Sequence, residues 1–151
     1  MIKIICVGKI KEKFYRDAIL EYQKRLSKYT KLELIEVPDS SFSNPELNRQ
    51  KEKEQILKHI KPKEYIITME IEGKEYNSIG LARHIDQVFQ SNSTITFIIG
   101  GSDGLDDEIK SMKSESISFS QLTFPHQLFR ILLLEQIYRT YKINHNESYH
   151  K

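Results

Sequence analysis

An α/β fold with a mostly parallel sheet and helices on both of its faces is what this chain predicts, and three observations predict it. Five short apolar, β-branched runs alternate with five stretches of helical spacing, the rhythm that parallel strands with crossover helices require. The run from Thr94 to Ile99 is closed by Gly100 and Gly101 and reads as a strand buried on both faces. At 151 residues, with 38% hydrophobic and 29% charged side chains, the chain suits one globular domain over 1–151, with no repeat, low-complexity stretch or internal boundary.

The first strand is Ile2 to Val7, and Tyr15, Ala18, Ile19, Tyr22 and Leu26 recur behind it at helical spacing. Lys9, Lys11, Lys13 and Arg16 lie just past that strand's carboxyl end, the side on which open α/β sheets place ligands. They read either as an RNA contact or as a plain solvated face. Leu32 to Val37 is the second strand. Asn44 followed by Pro45 supplies an N-cap and a first-turn proline for a helix running to about Ile60, whose RQKEKE stretch reads as a solvated face with local ion pairs.

Tyr65 to Ile71 makes the third strand, ended by Gly73, and Ser78 caps a helix that buries Leu81, Ala82, Ile85, Val88 and Phe89. After Thr94 to Ile99 come a short acidic helix, Asp106 to Lys113, and a last strand, Ile117 to Ser120. The Ser120 to Phe124 loop leads through Pro125 into a final helix beginning near His126. Leu128, Ile131, Leu132, Leu134, Tyr138 and Tyr141 make much of that helix's circumference apolar, so it sits deep in its own domain or packs on a second subunit.

Several chemistries are excluded or disfavoured at this level. The apolar runs are strand-length, and Met1 to Lys9 carries a lysine in a run too short for a signal-peptide core, so nothing addresses a membrane. A lone cysteine, Cys6, forms no internal disulfide, reads as a small core residue, and makes the cytoplasm the natural compartment. No CxxC spacing accompanies His126, His145 and His150, so no metal is expected; Ser102 does not sit in GxSxG, so a nucleophilic hydrolase is not expected either. A net charge of +2 announces no nucleic-acid binding by itself.

Gly100, Gly101 and Gly104 match neither a Walker loop nor GxGxxG, which disfavours a phosphate cradle. Such glycines serve either as a simple turn or as a site where main chain approaches a ligand closely. The second case suits a ligand without phosphate, held by apolar walls and backbone hydrogen bonds. On the last helix, His126 and Arg130 share a face, while Glu135 and Arg139 form a pair on nearly the opposite side that reads as an intrahelical or intersubunit salt bridge. His126 lies beside the candidate ligand loop and reads equally as a capping or packing residue.

The segments FIIGGSDG, SFSQLTFPHQLFR, LLEQIYR and the terminal SYHK, in this order and spacing, resemble the SPOUT-class RNA methyltransferases, within them the ribosomal RNA large subunit methyltransferase H family. IKIICVGKIKEKF and EYIITMEIEGKE are similar to the same family, so the resemblance covers nearly the whole chain. It implies a carboxyl-terminal trefoil knot, a homodimer, S-adenosylmethionine as cofactor, and as substrate N3 of a pseudouridine in 23S rRNA of the assembled ribosome. By resemblance Met69, Gly100, Phe119, Ser120, Gln121, Leu122, Thr123 and Phe124 match cofactor positions, with core packing the competing role of the two phenylalanines. The polar tail, otherwise a place for fraying, is expected to fold over the cofactor near a partner subunit. Tyr149 would then stack on a base, His150 would hydrogen-bond or accept a proton, and Lys151 would hold phosphate; Arg130 would stabilise charge on a carbonyl oxygen, with His126 beside it. The rival readings are a ribosome-associated binding module without cofactor chemistry and a flavodoxin-like nucleotide binder.

Overall fold

The computed structural model describes residues 1–151 and alternates strand and helix throughout. In chain order the elements are β1 (Ile2–Val7), α1 (Lys13–Leu26), β2 (Leu32–Val37), α2 (Pro45–Leu57), β3 (Tyr65–Glu75), α3 (Ser78–Phe89), β4 (Ile95–Ile99), α4 (Asp107–Met112), β5 (Glu115–Ser118) and α5 (His126–Asn144). The strands form one sheet in the order β2-β1-β4-β3-β5, and every pairing is parallel. All carboxyl ends therefore open on one edge, and the expected α/β architecture with a parallel sheet is the one present.

Two cores flank the sheet. Ile2, Ile4 and Cys6 of β1 face the larger, with Ile19 and Leu26 of α1, Leu81, Ile85 and Val88 of α3, and Leu133, Leu134 and Ile137 of α5. Ile5 and Val7 point the other way, to Ile56 of α2 and Ile109 of α4. Strand periodicity thus assigns successive residues to opposite layers. A buried pair closes one end of the second layer: Lys3, 2% exposed, reaches Glu64 and donates to the His59 carbonyl at 2.7 Å. With two acceptors, the ammonium escapes the cost of an uncompensated buried charge.

Among the boundaries that differ from the sequence expectation, three have a clear local cause. Gly73 does not end β3. The strand resumes with Lys74 opposite Ile117, after Met69 has already paired with Ile117, so Glu70 to Gly73 bulge out of register. A β-carbon on Gly73 would lie 2.7 Å from the Ile117 carbonyl carbon, so the glycine is there for a close approach of two backbones. The cap of α3 is Asn77, whose side chain accepts from the Gly80 amide; Ser78 is the first helical residue and donates to Gln136 at 3.0 Å. Finally, β5 ends at Ser118 rather than Ser120. The Ser118 hydroxyl donates to the Ser120 carbonyl and the Ser120 hydroxyl accepts from the Leu122 amide, both at 3.0 Å, turning the chain out of the sheet. The Asn44 cap and Pro45 start of α2 are as expected, and the helix closes at Leu57.

Candidate active site

At the carboxyl ends of β3, β4 and β5 the structure opens a cavity of about 300 Å³. Its floor is the turn after β4. The Gly104 amide donates to the Gly101 carbonyl at 3.1 Å, and Gly104 takes a φ of +82°, the left-handed conformation that glycine adopts without cost. Gly100 leaves no space for a side chain: a β-carbon there would meet the Gly104 backbone at 3.0 Å and Leu105 Cδ2 at 3.1 Å. The opposite wall is the chain leaving β5, where Phe119 and Phe129 lie 5.2 Å apart and Phe124 and Phe129 stack at 6.2 Å.

Of the cofactor positions expected from the sequence, Met69, Gly100, Phe119, Ser120, Leu122, Thr123 and Phe124 line this cavity together with His126; Gln121 lies outside the lining. The bulge of β3 adds residues that sequence reasoning missed, Glu70, Ile71 and Glu72, and α4 adds Lys110. The signal was present in ITMEIEGKE, where carboxylates interrupt an apolar run beside a glycine, but a strand read as ending there hides its function. Burial alone would raise the Glu70 carboxyl; hydrogen bonds from Ser116, Thr68, Lys113 and Lys110 outweigh it and hold the group down to about 2. Lys110 spends its charge on Glu70 at 3.2 Å and Glu72 at 3.7 Å. Desolvation first, and the Arg130 guanidinium second, depress His126 below its ordinary value, which favours the uncharged ring near neutral pH.

The remaining expected site residues are distributed over two other places. Arg130 does not reach the cavity. It is 1% exposed, and it donates to Glu36 at 2.7 Å and to the Gly8 carbonyl at 3.1 Å. The expectation that it meets a substrate oxygen is therefore revised: its reach is spent inward, fixing the turn after β1. Glu36 also accepts from the Ile10 amide at 2.8 Å, and Gln127 accepts from the Lys11 amide at 3.1 Å. The basic segment with exposed Lys9 and Lys11 is thereby docked on the first turns of α5. Lys13 is paired with Asp17, and Arg16 donates to the Lys11 carbonyl.

Tyr149 and His150 fold back onto α5. The Tyr149 hydroxyl donates to Glu135 at 3.0 Å, and its ring lies 4.8 Å from the Arg139 guanidinium. His150 lines a second cavity, of about 500 Å³, that shares Ile117, Ser118 and Phe119 with the first. Lys151 is exposed. Cys6 is fully buried, and burial pushes its thiol up to about 12, against the lowering effect of Arg130. No three His, Cys, Asp or Glu side chains come together as a metal would need, and no helix is long and apolar enough to cross a membrane.

Fold and site define the class: a parallel α/β protein whose ligand cavity lies at the carboxyl edge of the sheet, walled by main chain and aromatic rings. Its charged groups are Glu70 and Glu72, met by Lys110 in the lining and by Lys113 behind Glu70, a nearly balanced set that leaves no free cation for a phosphate and none to oppose a positive ligand. The family model described as Predicted SPOUT methyltransferase matches residues 1–150, and the chain belongs to this family. SPOUT methyltransferases take their methyl group from S-adenosylmethionine, and the residues present fit that cofactor: the glycine cradle admits main-chain contact, and no free cation opposes a sulfonium.

Proposed function

We propose that the protein methylates N3 of a pseudouridine in 23S rRNA, acting as a homodimer on the assembled ribosome. The observation that carries this reading is the junction at the start of α5. His126 stands on the cofactor cavity wall, while Gln127 and Arg130 hold the segment with Lys9 and Lys11 one turn away. A site for a cationic donor and a surface for a polyanion thus share one rigid helix end.

Bound cofactor supplies an electrophilic methyl group on sulfur. The chain's own residues do the rest. Gly100 and the loop residues 119, 120 and 122–124 would hold the donor by main chain and rings, with Glu70 and Glu72 keeping Lys110 engaged beside it. The imide N3 must lose its proton before or during attack, so the site needs groups that accept a proton or stabilise a carbonyl oxygen, and the tail with Tyr149, His150 and Lys151 is the source proposed for them. Methyl transfer needs little covalent help; orienting the partners supplies roughly 7–11 kcal/mol of barrier reduction.

Two further parts of the reading have support in packing. α5 leaves the edge strand β5 yet packs against both α1 and α3, a path across the sheet compatible with the trefoil knot. Phe14, Leu20, Ile79 and Leu122 stay at least half exposed, surface that a second subunit would cover. Such a small chain offers little area for RNA recognition, so the folded ribosome is expected to be required.

The test is titration calorimetry with S-adenosylmethionine, with ATP and a flavin nucleotide as controls, followed by transfer of labelled methyl to ribosomes and nucleoside mass spectrometry. Binding of the methyl donor alone, and methylpseudouridine in 23S rRNA, are the expected results. Equal methylation of a short free RNA would overturn the ribosome requirement, and absence of cofactor binding by the folded dimer would favour the noncatalytic RNA-binding module.

A further inference from the structure

The tail is held at more points than a terminal polar segment needs. Asn146 adopts a φ of +55° and reverses the chain after α5. Glu147 then accepts from Lys142 at 2.7 Å and from Tyr29 at 2.9 Å. Tyr149 packs edge-on to Tyr138 at 5.0 Å and donates to Glu135. Arg139 connects these contacts to the last histidine: Nη2 donates to Glu135 at 2.6 Å, and Nη1 lies 3.1 Å from His150 Nδ1.

A guanidinium has five donors and no acceptor, so in that contact His150 Nδ1 accepts. The neutral ring then carries its proton on Nε2. The lone pair that a general base would use is occupied by Arg139, which leaves Nε2 as the ring's donor, and His150 lines the second cavity, which shares Phe119 with the cofactor cavity.

From this geometry we infer that Glu135 and Arg139 form a positioning clamp that presents His150 as an Nε2–H donor to a carbonyl oxygen of the target base, and not as its proton acceptor. The inference rests on the methyltransferase reading above and deepens it. A uracil-type imide has a carbonyl on each side of N3. When the N3 proton passes to water, negative charge spreads onto those oxygens, where a fixed donor stabilises it. The nitrogen pair then forms the N–C bond as the C–S bond breaks and leaves its electrons on sulfur. Glu135 acts at one remove, fixing Arg139 and the Tyr149 hydroxyl together.

Full-length His150→Gln, His150→Ala and Arg139→Met proteins would be compared with the unaltered chain for methyl transfer to ribosomes and for S-adenosylmethionine affinity. Histidine nitrogen NMR of the unaltered protein would read the tautomer. The expected results are the Nε2–H tautomer, a kcat loss on the order of 10²-fold for His150→Ala, substantial rescue by the amide donor of His150→Gln, and a kcat loss for Arg139→Met at unchanged cofactor affinity. An Nδ1–H tautomer, or His150→Gln no better than His150→Ala, overturns the inference even if Arg139→Met fails to fold. Absence of methyl transfer by the unaltered protein defeats the underlying reading instead, a separate result read in its own control.

Discussion

Replacing Gly73 by alanine tests whether the β3 bulge shapes the cofactor cavity. The added carbon would sit 2.7–2.8 Å from the backbone atoms of Ser116 and Ile117, where carbon atoms prefer about 3.5–4.0 Å. Neither atom belongs to a side chain that can rotate away, so β5 must shift by several tenths of an ångström or more. Overpacking of this kind costs roughly 1–3 kcal/mol, and the rigid partner argues for about 3. Loss of unfolded-state freedom returns about 0.4–1 kcal/mol. A net cost of about 2 kcal/mol lowers the melting temperature by roughly 4–8 °C. Because Glu70 to Glu72 and Ile117 to Phe119 line the cavity from the two displaced strands, S-adenosylmethionine affinity should weaken as well. Gly101→Ala is the informative comparison. There the closest atoms are Oε1 of Glu52 at 2.9 Å and Val7 Cγ1 at 3.1 Å, side-chain ends and not backbone, so the stability cost should be the smaller of the two. Thermal denaturation and calorimetry read both quantities. An unchanged melting temperature and affinity for Gly73→Ala would refute the argument.

Arg130→Met should cost roughly 1–3 kcal/mol in urea denaturation, because it orphans the Gly8 carbonyl and unties the half-exposed Glu36 from the turn after β1; a variant as stable as the parent would show that pair to be dispensable. Two carboxylates give pH dependences of opposite sign. The depressed Glu70 contributes stability that is complete above its ordinary 4.5 and is lost as pH falls through about 2, so Glu70→Gln should show a shallower acid limb. Glu52 is raised, by burial first, and Oε1 has no partner; its contribution is complete below its ordinary 4.5 and is lost as pH rises through the raised value, so Glu52→Gln should gain on the parent as pH increases. Cys6, fully buried with its thiol pushed up to about 12, should react with a thiol reagent only when the protein unfolds, and rapid labelling of native protein would contradict its placement.

How much of this was legible in the sequence depends on the range of the interactions involved. Strands and helices followed their periodicities because each buried face is encoded locally, as in Ile2, Ile4 and Cys6 against Ile5 and Val7. The glycine turn was legible as composition, and the site role of the loop from Phe119 to Phe124 only through the family resemblance. The Gly73 bulge was not, since glycine as terminator and glycine at a backbone contact look alike until β5 is in place. Nor was Arg130's partner, 94 residues away in β2. The Glu135 and Arg139 pair was readable as i,i+4, but its second set of partners exists only because Asn146 turns the tail back, a tertiary event for which His-Asn-Glu-Ser is a weak local signal.

Under the proposed function, a methyl donor with a sulfonium and a polyanionic substrate need opposite surroundings, and the charge pattern fits that division. Carboxylates Glu70 and Glu72 face the cofactor cavity with Lys110 committed to them, while Lys9 and Lys11, exposed and free of ion pairs, stand on the other side of the α5 start. Lys13 is paired with Asp17, and Arg16, which keeps its charge, is tied to the Lys11 carbonyl, so Lys9 and Lys11 are the two cations whose side chains are unengaged. Each phosphate neutralised contributes roughly −0.7 to −0.9 to the slope of log affinity against log salt. Removing Lys9 and Lys11 together should therefore flatten the salt dependence of ribosome binding by about 1.4–1.8, while S-adenosylmethionine affinity stays the same. Binding to ribosomes and to cofactor, measured across the same salt series, decides it. If the double substitution leaves the slope unchanged, the RNA is met elsewhere on the surface; if it weakens cofactor binding too, the two charge environments are not separate and the division of labour around α5 is wrong.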